Sequence, residues 1–130
     1  MSDLGSRLFP QFGFVRQLGS PLSSHPNHAT PFENRGNVFN HHRQYDRAID
    51  DYNEAIRLDP KFSQAWRDRG AAFYFKKDYA KAIENYDEAI RLDPTSARAF
   101  TNRGAAYKKQ GRNDRALADV HDGGAAEVLV

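Results

Sequence analysis

Residues 63 to 96 read SQAWRDRGAAFYFKKDYAKAIENYDEAIRLDPTS, and their apolar spacing decides the fold. Trp66, Gly70 and Phe73 fall at i, i+4 and i+7, one face of a helix on which the small Gly70 admits a close neighbour. Tyr79, Ala82, Ile83, Tyr86, Ala89 and Ile90 then recur at spacings of three and four. They form the stripe of a second helix whose other face carries Lys81, Glu84, Asp87 and Arg91. Lys76, Lys77 and Asp78 make a short polar turn between the two. Pro94 pushes Asp93 out of the helical region and ends the second helix near Leu92. The unit is a helical hairpin.

A shift of 34 residues superimposes the hairpin on its neighbours. Backwards, Arg69, Gly70, Phe73, Tyr79, Ala82, Ile83, Tyr86 and EAIRLDP ending at Pro94 become Arg35, Gly36, Phe39, Tyr45, Ala48, Ile49, Tyr52 and EAIRLDP ending at Pro60. Forwards, Phe100, Arg103, Gly104, Tyr107, Ala116 and Leu117 keep the pattern. Val120, Gly123, Gly124 and Val128 then stand where Tyr86, Ala89, Ile90 and Pro94 stood. The expectation is an all-α array of tandem antiparallel hairpins, two complete repeats over 29–62 and 63–96 and a degenerate third over 97–122, with a degenerate tail over 123–130.

The aromatic, glycine and aromatic positions Phe32, Gly36, Phe39; Trp66, Gly70, Phe73; and Phe100, Gly104, Tyr107 resemble the tetratricopeptide repeat family. Ala48, Tyr52, Ala55, Pro60 and Ala82, Tyr86, Ala89, Pro94 sit where that family places its small, aromatic, small and proline residues. The resemblance covers roughly residues 29 to 122. It implies a right-handed α-solenoid that binds proteins or extended peptides and performs no catalysis.

Composition narrows the alternatives. With 28% charged and 39% hydrophobic residues the chain has the make-up of one soluble domain, and no stretch approaches the ~20 apolar residues of a spanning helix. A membrane partner is not expected, and the setting expected is cytoplasmic. The absence of cysteine removes disulfide and thiolate chemistry. Net charge is only +2, and Lys108, Lys109, Arg112 and Arg115 are the one local basic group, so a nucleic-acid partner is not expected either.

Residues 1 to 28, with Leu8, Phe9, Phe12, Phe14, Val15 and Leu18 among glycines and prolines, show no sustained period and read as an irregular leader. Thr30, Pro31 and Glu33 spell a capping box with proline at the first helical position, which starts the first helix at Pro31 and runs it to about His42. Its partner spans Tyr45 to about Leu58. Ser63 and Ser96 are candidate caps for the next two first helices, and Gly111 is a helix stop. Gly123 and Gly124 each cost about 1 kcal/mol in a helix, so the last helix is expected to weaken near Asp122. An incomplete third repeat leaves Tyr107, Leu117 and Val120 uncovered, which favours self-association or a missing partner helix.

No catalytic, cofactor or metal site emerges. His41 and His42 are adjacent and point about 100° apart on a helix, His25 and His28 flank Pro26, and His121 stands alone. Asp50, Asp51, Glu54, Glu84, Asp87 and Glu88 lie opposite the apolar stripes, as a solvated surface. No nucleophile has a base at readable spacing, and no phosphate loop occurs.

In the resembling family the first helix of each hairpin lines a concave groove. Carried across, its polar positions are Glu33, Asn34, Asn37 and His41; Arg67, Asp68, Ala71, Tyr74 and Phe75; Arg98, Thr101, Asn102, Ala105, Lys108 and Lys109. The family's clamp for C-terminal carboxylates would need its Lys, Asn, Asn, Lys and Arg at Glu33, Asn37, Asp68, Arg98 and Asn102. Only Asn37 matches and two acids stand where an anion must dock, so a carboxylate-clamp ligand is not expected. The family's asparagine ladder is met by Asn34 and Asn102 and broken at its centre by Asp68. The candidate groove residues are therefore Asn34, Asn37, His41, Arg67, Asp68, Tyr74, Arg98, Asn102 and Lys109. The alternative reading is an accessory or truncated fragment of a longer repeat protein, an enzyme's substrate-binding region for example, with no activity of its own.

Overall fold

Between residues 26 and 129, which the computed structural model describes, the chain forms six α-helices. They are α1 (Pro26–His41), α2 (Tyr45–Leu58), α3 (Ser63–Phe75), α4 (Tyr79–Leu92), α5 (Ala97–Lys109) and α6 (Asn113–Leu129). The most extensive packing joins α1 to α2, α3 to α4 and α5 to α6, and α2 to α3 and α4 to α5 link the hairpins. The odd helices also touch one another, whereas the even helices do not. The array therefore curves with α1, α3 and α5 on its inner side, as an all-α solenoid of helical hairpins.

Each of the first two hairpins closes on one ring. A Cβ added at Gly36 would lie 2.6 Å from Tyr52 Cε1, and one at Gly70 would lie 2.7 Å from Tyr86 Cε1, so both tyrosines rest on bare backbone. Tyr52 and Tyr86 are also the largest fully buried side chains. Around them, Ala48 and Ala72 join Tyr52 in one core cluster, and Ala82, Ile83, Ala106, Tyr107 and Ala116 join Tyr86 in another.

A second device repeats with the same period. Arg35 donates from Nε and Nη2 to the two oxygens of buried Asp51 at 2.8 and 2.7 Å, and Arg103 does the same to buried Asp119 at 2.8 and 2.7 Å. Arg103 Nη1 also reaches back to Asp87 Oδ1 of the preceding hairpin at 2.8 Å. In the middle hairpin Arg69 makes the same two reaches to neutral acceptors, Asn85 Oδ1 at 2.7 Å and Asn53 Oδ1 at 2.8 Å. Its guanidinium lies 4.7 Å from the centre of the Trp66 ring, and desolvation without a carboxylate holds its pKa below the usual arginine range.

The turns within the hairpins are alike too. Arg43, Lys77 and Gly111 stand at φ values of 64°, 68° and 78°, and Gln44, Asp78 and Arg112 donate to the carbonyls of Phe39, Phe73 and Tyr107. This is the left-handed ending of a helix, which glycine adopts without strain and the other two residues do not.

Several sequence expectations need correction. Asp51, expected on a solvated surface, is buried against Arg35, and Tyr107, expected to be uncovered, is buried in the cluster of Tyr86. Helix α1 starts at Pro26, so Pro31 lies inside it and the Thr30 capping box does not mark its beginning. Residues 26 to 28 of the expected leader are helical, and the apolar residues 8 to 18 lie outside the described residues. Ser63 is the first helical residue of α3 and not its cap. Phe62 occupies the cap position and packs beside Ala55 and Ala65, whereas Ser96 does cap α5 by accepting from Ala99 N–H at 3.2 Å. Finally, α6 does not weaken near Asp122 but continues to Leu129. Gly123 is buried against α5, where a Cβ would meet Ala97 O at 3.1 Å and Phe100 Cβ at 3.3 Å. Close helix contact there offsets the weak helix propensity of glycine. Trp66 is half-buried, with Nε1 donating to Pro60 O at 2.9 Å.

Two substitutions test this account. Gly70→Ala should lower stability by about 1 to 2 kcal/mol, because overpacking against the fixed Tyr86 ring outweighs the better helix propensity of alanine. Lys77→Gly should raise stability by up to about 1 kcal/mol by relieving the left-handed backbone. Chemical denaturation of both variants checks the two signs.

Candidate functional site

The inner side of the array holds two linked features. Between α3 and α5 lies a cavity of about 370 Å³, lined by Arg67, Asp68, Ala71, Tyr74 and Phe75 of α3, Tyr86 of α4, and Arg98, Asn102 and Ala105 of α5. One departure from the repeat lies in its lining. In the first hairpin the Tyr52 hydroxyl donates to Asn37 Oδ1 at 2.6 Å, and 34 residues on Asn37 is answered by Ala71, so the register offers buried Tyr86 a methyl group in place of that amide.

Between α1 and α3 sits a buried acid pair. Glu33 is buried, Asn37 Nδ2 donates to its Oε2 at 2.8 Å, and the Asp68 carboxyl lies beside it. Arg67 reaches Asp68 Oδ1 from Nε and Nη2 at 3.3 Å, and both side chains are mostly buried. Asp68 Oδ2 is buried with no hydrogen-bond donor. Burial first, and then the neighbouring Asp68, push the Glu33 carboxyl up from its ordinary value near 4.5 to about 7, against the opposing pull of Asn37 and Arg67. A proton retained on Glu33 gives the pair the donor that Asp68 otherwise lacks. The hydroxyls of Tyr52 and Tyr86 are raised well above the usual tyrosine range, by burial first, and then by Asp68, Glu33 and Asp51 at Tyr52 and by Tyr74 and Asp68 at Tyr86.

Five residues singled out from the sequence, Arg67, Asp68, Tyr74, Arg98 and Asn102, meet around the one cavity. Asn37 is held in the tyrosine and glutamate network beside it. Asn34, His41 and Lys109 are exposed and do not line the cavity. Glu33 proved to be a member of the buried pair, although its place three residues after Thr30 had suggested a cap. The signal that could have exposed it was its register one turn before Asn37, facing Asp68 across the repeat.

Among the described residues no group of three His, Cys, Asp or Glu could hold a metal ion, and no helix is long and apolar enough to cross a membrane. The basic group is partly absorbed by packing, since the guanidiniums of Arg112 and Arg115 lie 5.1 and 5.8 Å from the centre of the Tyr107 ring.

Comparison with known proteins agrees with this architecture. Family models described as "Tetratricopeptide repeat" and "TPR repeat" match residues 31–62 and 72–111. A curated relative, small glutamine-rich tetratricopeptide repeat-containing protein 2 of Mycosarcoma maydis, is 36% identical over 52 residues, which is 40% of this chain and 15% of that protein. The chain thus spans a small part of that relative's length. Among solved structures, the second TPR of Spaghetti (RPAP3), bound to the HSP90 peptide SRMEEVD, is similar with a TM-score of 0.74 and 28% identity over 77% of this chain and 93% of that one. MamA is similar with a TM-score of 0.74 and 26% identity over 78% of this chain and 59% of that one.

The acid pair makes a signed prediction. Glu33 binds its proton more tightly folded than unfolded, so its stabilising contribution is complete below pH 4.5 and disappears as pH rises through about 7. The size is on the order of 3 kcal/mol at most. Glu33→Gln, which keeps a neutral donor, should flatten this dependence and gain stability in mildly alkaline buffer. Urea denaturation midpoints of both proteins at about pH 5 and about pH 8 check it.

Proposed function

This chain belongs to the tetratricopeptide repeat family, and from that premise we propose that it is a non-enzymatic binding module that holds an extended peptide along α1, α3 and α5 and selects a basic side chain at Asp68. The observation that carries the reading is the buried Glu33 and Asp68 pair between α1 and α3, with Asp68 also lining the open cavity and its Oδ2 left without a donor once Glu33 gives up its proton. A lysine or arginine side chain entering the cavity would supply that donor and compensate the charge. Asn102, in the same cavity, offers both an amide donor and an acceptor to a peptide backbone.

The similarity to the second TPR of Spaghetti supports a peptide as the ligand class, since that protein holds a peptide. The charge argues for a different ligand. The peptide SRMEEVD is rich in acids, and acids would meet Glu33 and Asp68 at the positions where this chain departs from the family's carboxylate clamp. Of the two arginines that line the cavity, Arg67 is engaged with Asp68 and Arg98 is exposed.

Titration of basic, neutral and acidic peptides, SRMEEVD among the acidic ones, tests the reading. A basic peptide should bind best, and Asp68→Ala should weaken it by roughly 30-fold or more, the equivalent of about 2 kcal/mol. Glu54→Ala, whose carboxylate is occupied by Arg57 on α2, should change little. Asp68→Asn should narrow the gap between basic and neutral peptides, because a neutral amide serves any backbone. Since Glu33 loses its proton near pH 7, basic peptides should also bind more tightly as pH rises through that value. Equal affinity of wild type and Asp68→Ala for every peptide would remove the reading.

A further inference from the structure

The two outward faces of the array, on α1 and on α6, are the two halves of the junction that the chain already forms twice inside itself. At the internal junctions, Ala72 of α3 and Ala106 of α5 are wholly buried, in clusters with Ala48 and Tyr52 of α2 and with Ala82, Ile83 and Tyr86 of α4. Their counterpart on α1, one period earlier, is Val38, which is 56% exposed. On the other side, Ile83 and Tyr86 are 8% and 1% exposed, and their counterparts on α6, Leu117 and Val120, are 69% and 57% exposed. Leu117, Val120 and Ala116, with Thr101 and Ala105 of α5, line an apolar groove of about 500 Å³ between the last two helices. It lies where α5 packs against α3 and α4 one hairpin earlier.

We propose that α1 of a second copy of this chain seats in that groove in the register of the internal junctions, so that copies join head to tail. Complementary polar groups at the edges argue for this occupant. At the first internal junction Lys76 Nζ pairs with Asp46 Oδ1 at 2.5 Å, tying the end of α3 to the start of α2. In the same register His42 of one copy faces Asp114 of the next, both exposed. Arg69 and Arg103 each reach across a junction, to Asn53 and to Asp87. Arg35, mostly exposed, comes over His121, whose ring lies 3.7 Å from the Asp122 carboxylate. The apolar parts match as well, since Val38 replaces a buried alanine and meets Val120, which replaces a buried tyrosine and leaves room for the larger partner. Such a contact uses different surfaces on the two copies, so it does not close as a two-fold dimer and extends the inner groove from one copy to the next.

Sedimentation of the full chain over a range of concentrations tests this. The expected result is an average mass that rises with concentration past that of a dimer. Val38→Glu and Leu117→Glu each disable one face, and both positions are exposed, so helicity by circular dichroism should stay at the wild-type value. Each substitution should weaken association at least about tenfold. Each variant alone should sediment as a monomer, and an equal mixture should stop at a dimer, because one good face survives on each. Asp114→Lys should weaken the contact in the same direction, and adding His42→Asp in the same chain should restore it. A wild-type chain that stays monomeric throughout, or a mixture that gives no dimer, overturns the proposal. So does a closed dimer that Leu117→Glu abolishes and Val38→Glu leaves intact, which would mean that α6 pairs with itself.

Discussion

The architecture depends on a tyrosine ring lying on a glycine. Tyr52 on Gly36 and Tyr86 on Gly70 bring two helix axes close enough for alanines to fill the remaining core, which is why the buried residues are mostly alanine and the interior is thin. A thin core suits an array in which each hairpin is covered by its neighbours instead of enclosing its own centre. The third hairpin lacks the ring. Gly104 faces Ala116 O, Asp119 Cβ and, at 3.7 Å, Val120 Cγ2. There the arginine device takes a larger share of the closure, with Arg103 holding Asp119 and Asp87 together and the carboxylates raising its own pKa further. Such a pair is costly to break but is weak evidence of net stabilisation, because both groups are taken out of water.

Departures from the repeat are where the chemistry collects. Ala71, standing where the period places Asn37, lines the cavity beside Tyr86. Asp68, standing between Asn34 and Asn102 in the register, faces Glu33 and produces the protonated carboxyl. Val120, standing where the period places Tyr86, lies on an α6 face that no described helix covers. A regular array would have had a filled groove, no acid pair and uniform flanks. Each irregularity is one residue wide, yet each alters a surface, because in a stack of hairpins every inner position borders two neighbours.

Periodicity in the sequence determined the hairpin, the period, and the second-helix limits at Leu58 and Leu92, whereas which helices face inward came from the family resemblance. It also held information that reading motif by motif overlooked. One period before Ser96 stands Phe62 and not Ser63, and one and two periods before Gly111 stand Lys77 and Arg43, so the uncapped start of α3 and the two strained turns were legible. Tertiary packing alone decided the rest. Helix propensity at Gly123 is a local quantity, but the close approach of α5 that rewards a missing side chain is not, and α6 continues through it. Likewise Glu33 looks like a cap in sequence, since Thr30 and Pro31 stand where a helix could begin. Its altered proton affinity exists only because curvature of the array brings α3, with Asp68, against α1 and shuts water out. Sequence spacing fixes which face of a helix a residue occupies; how far two charges are removed from water depends on what the neighbouring helix places there.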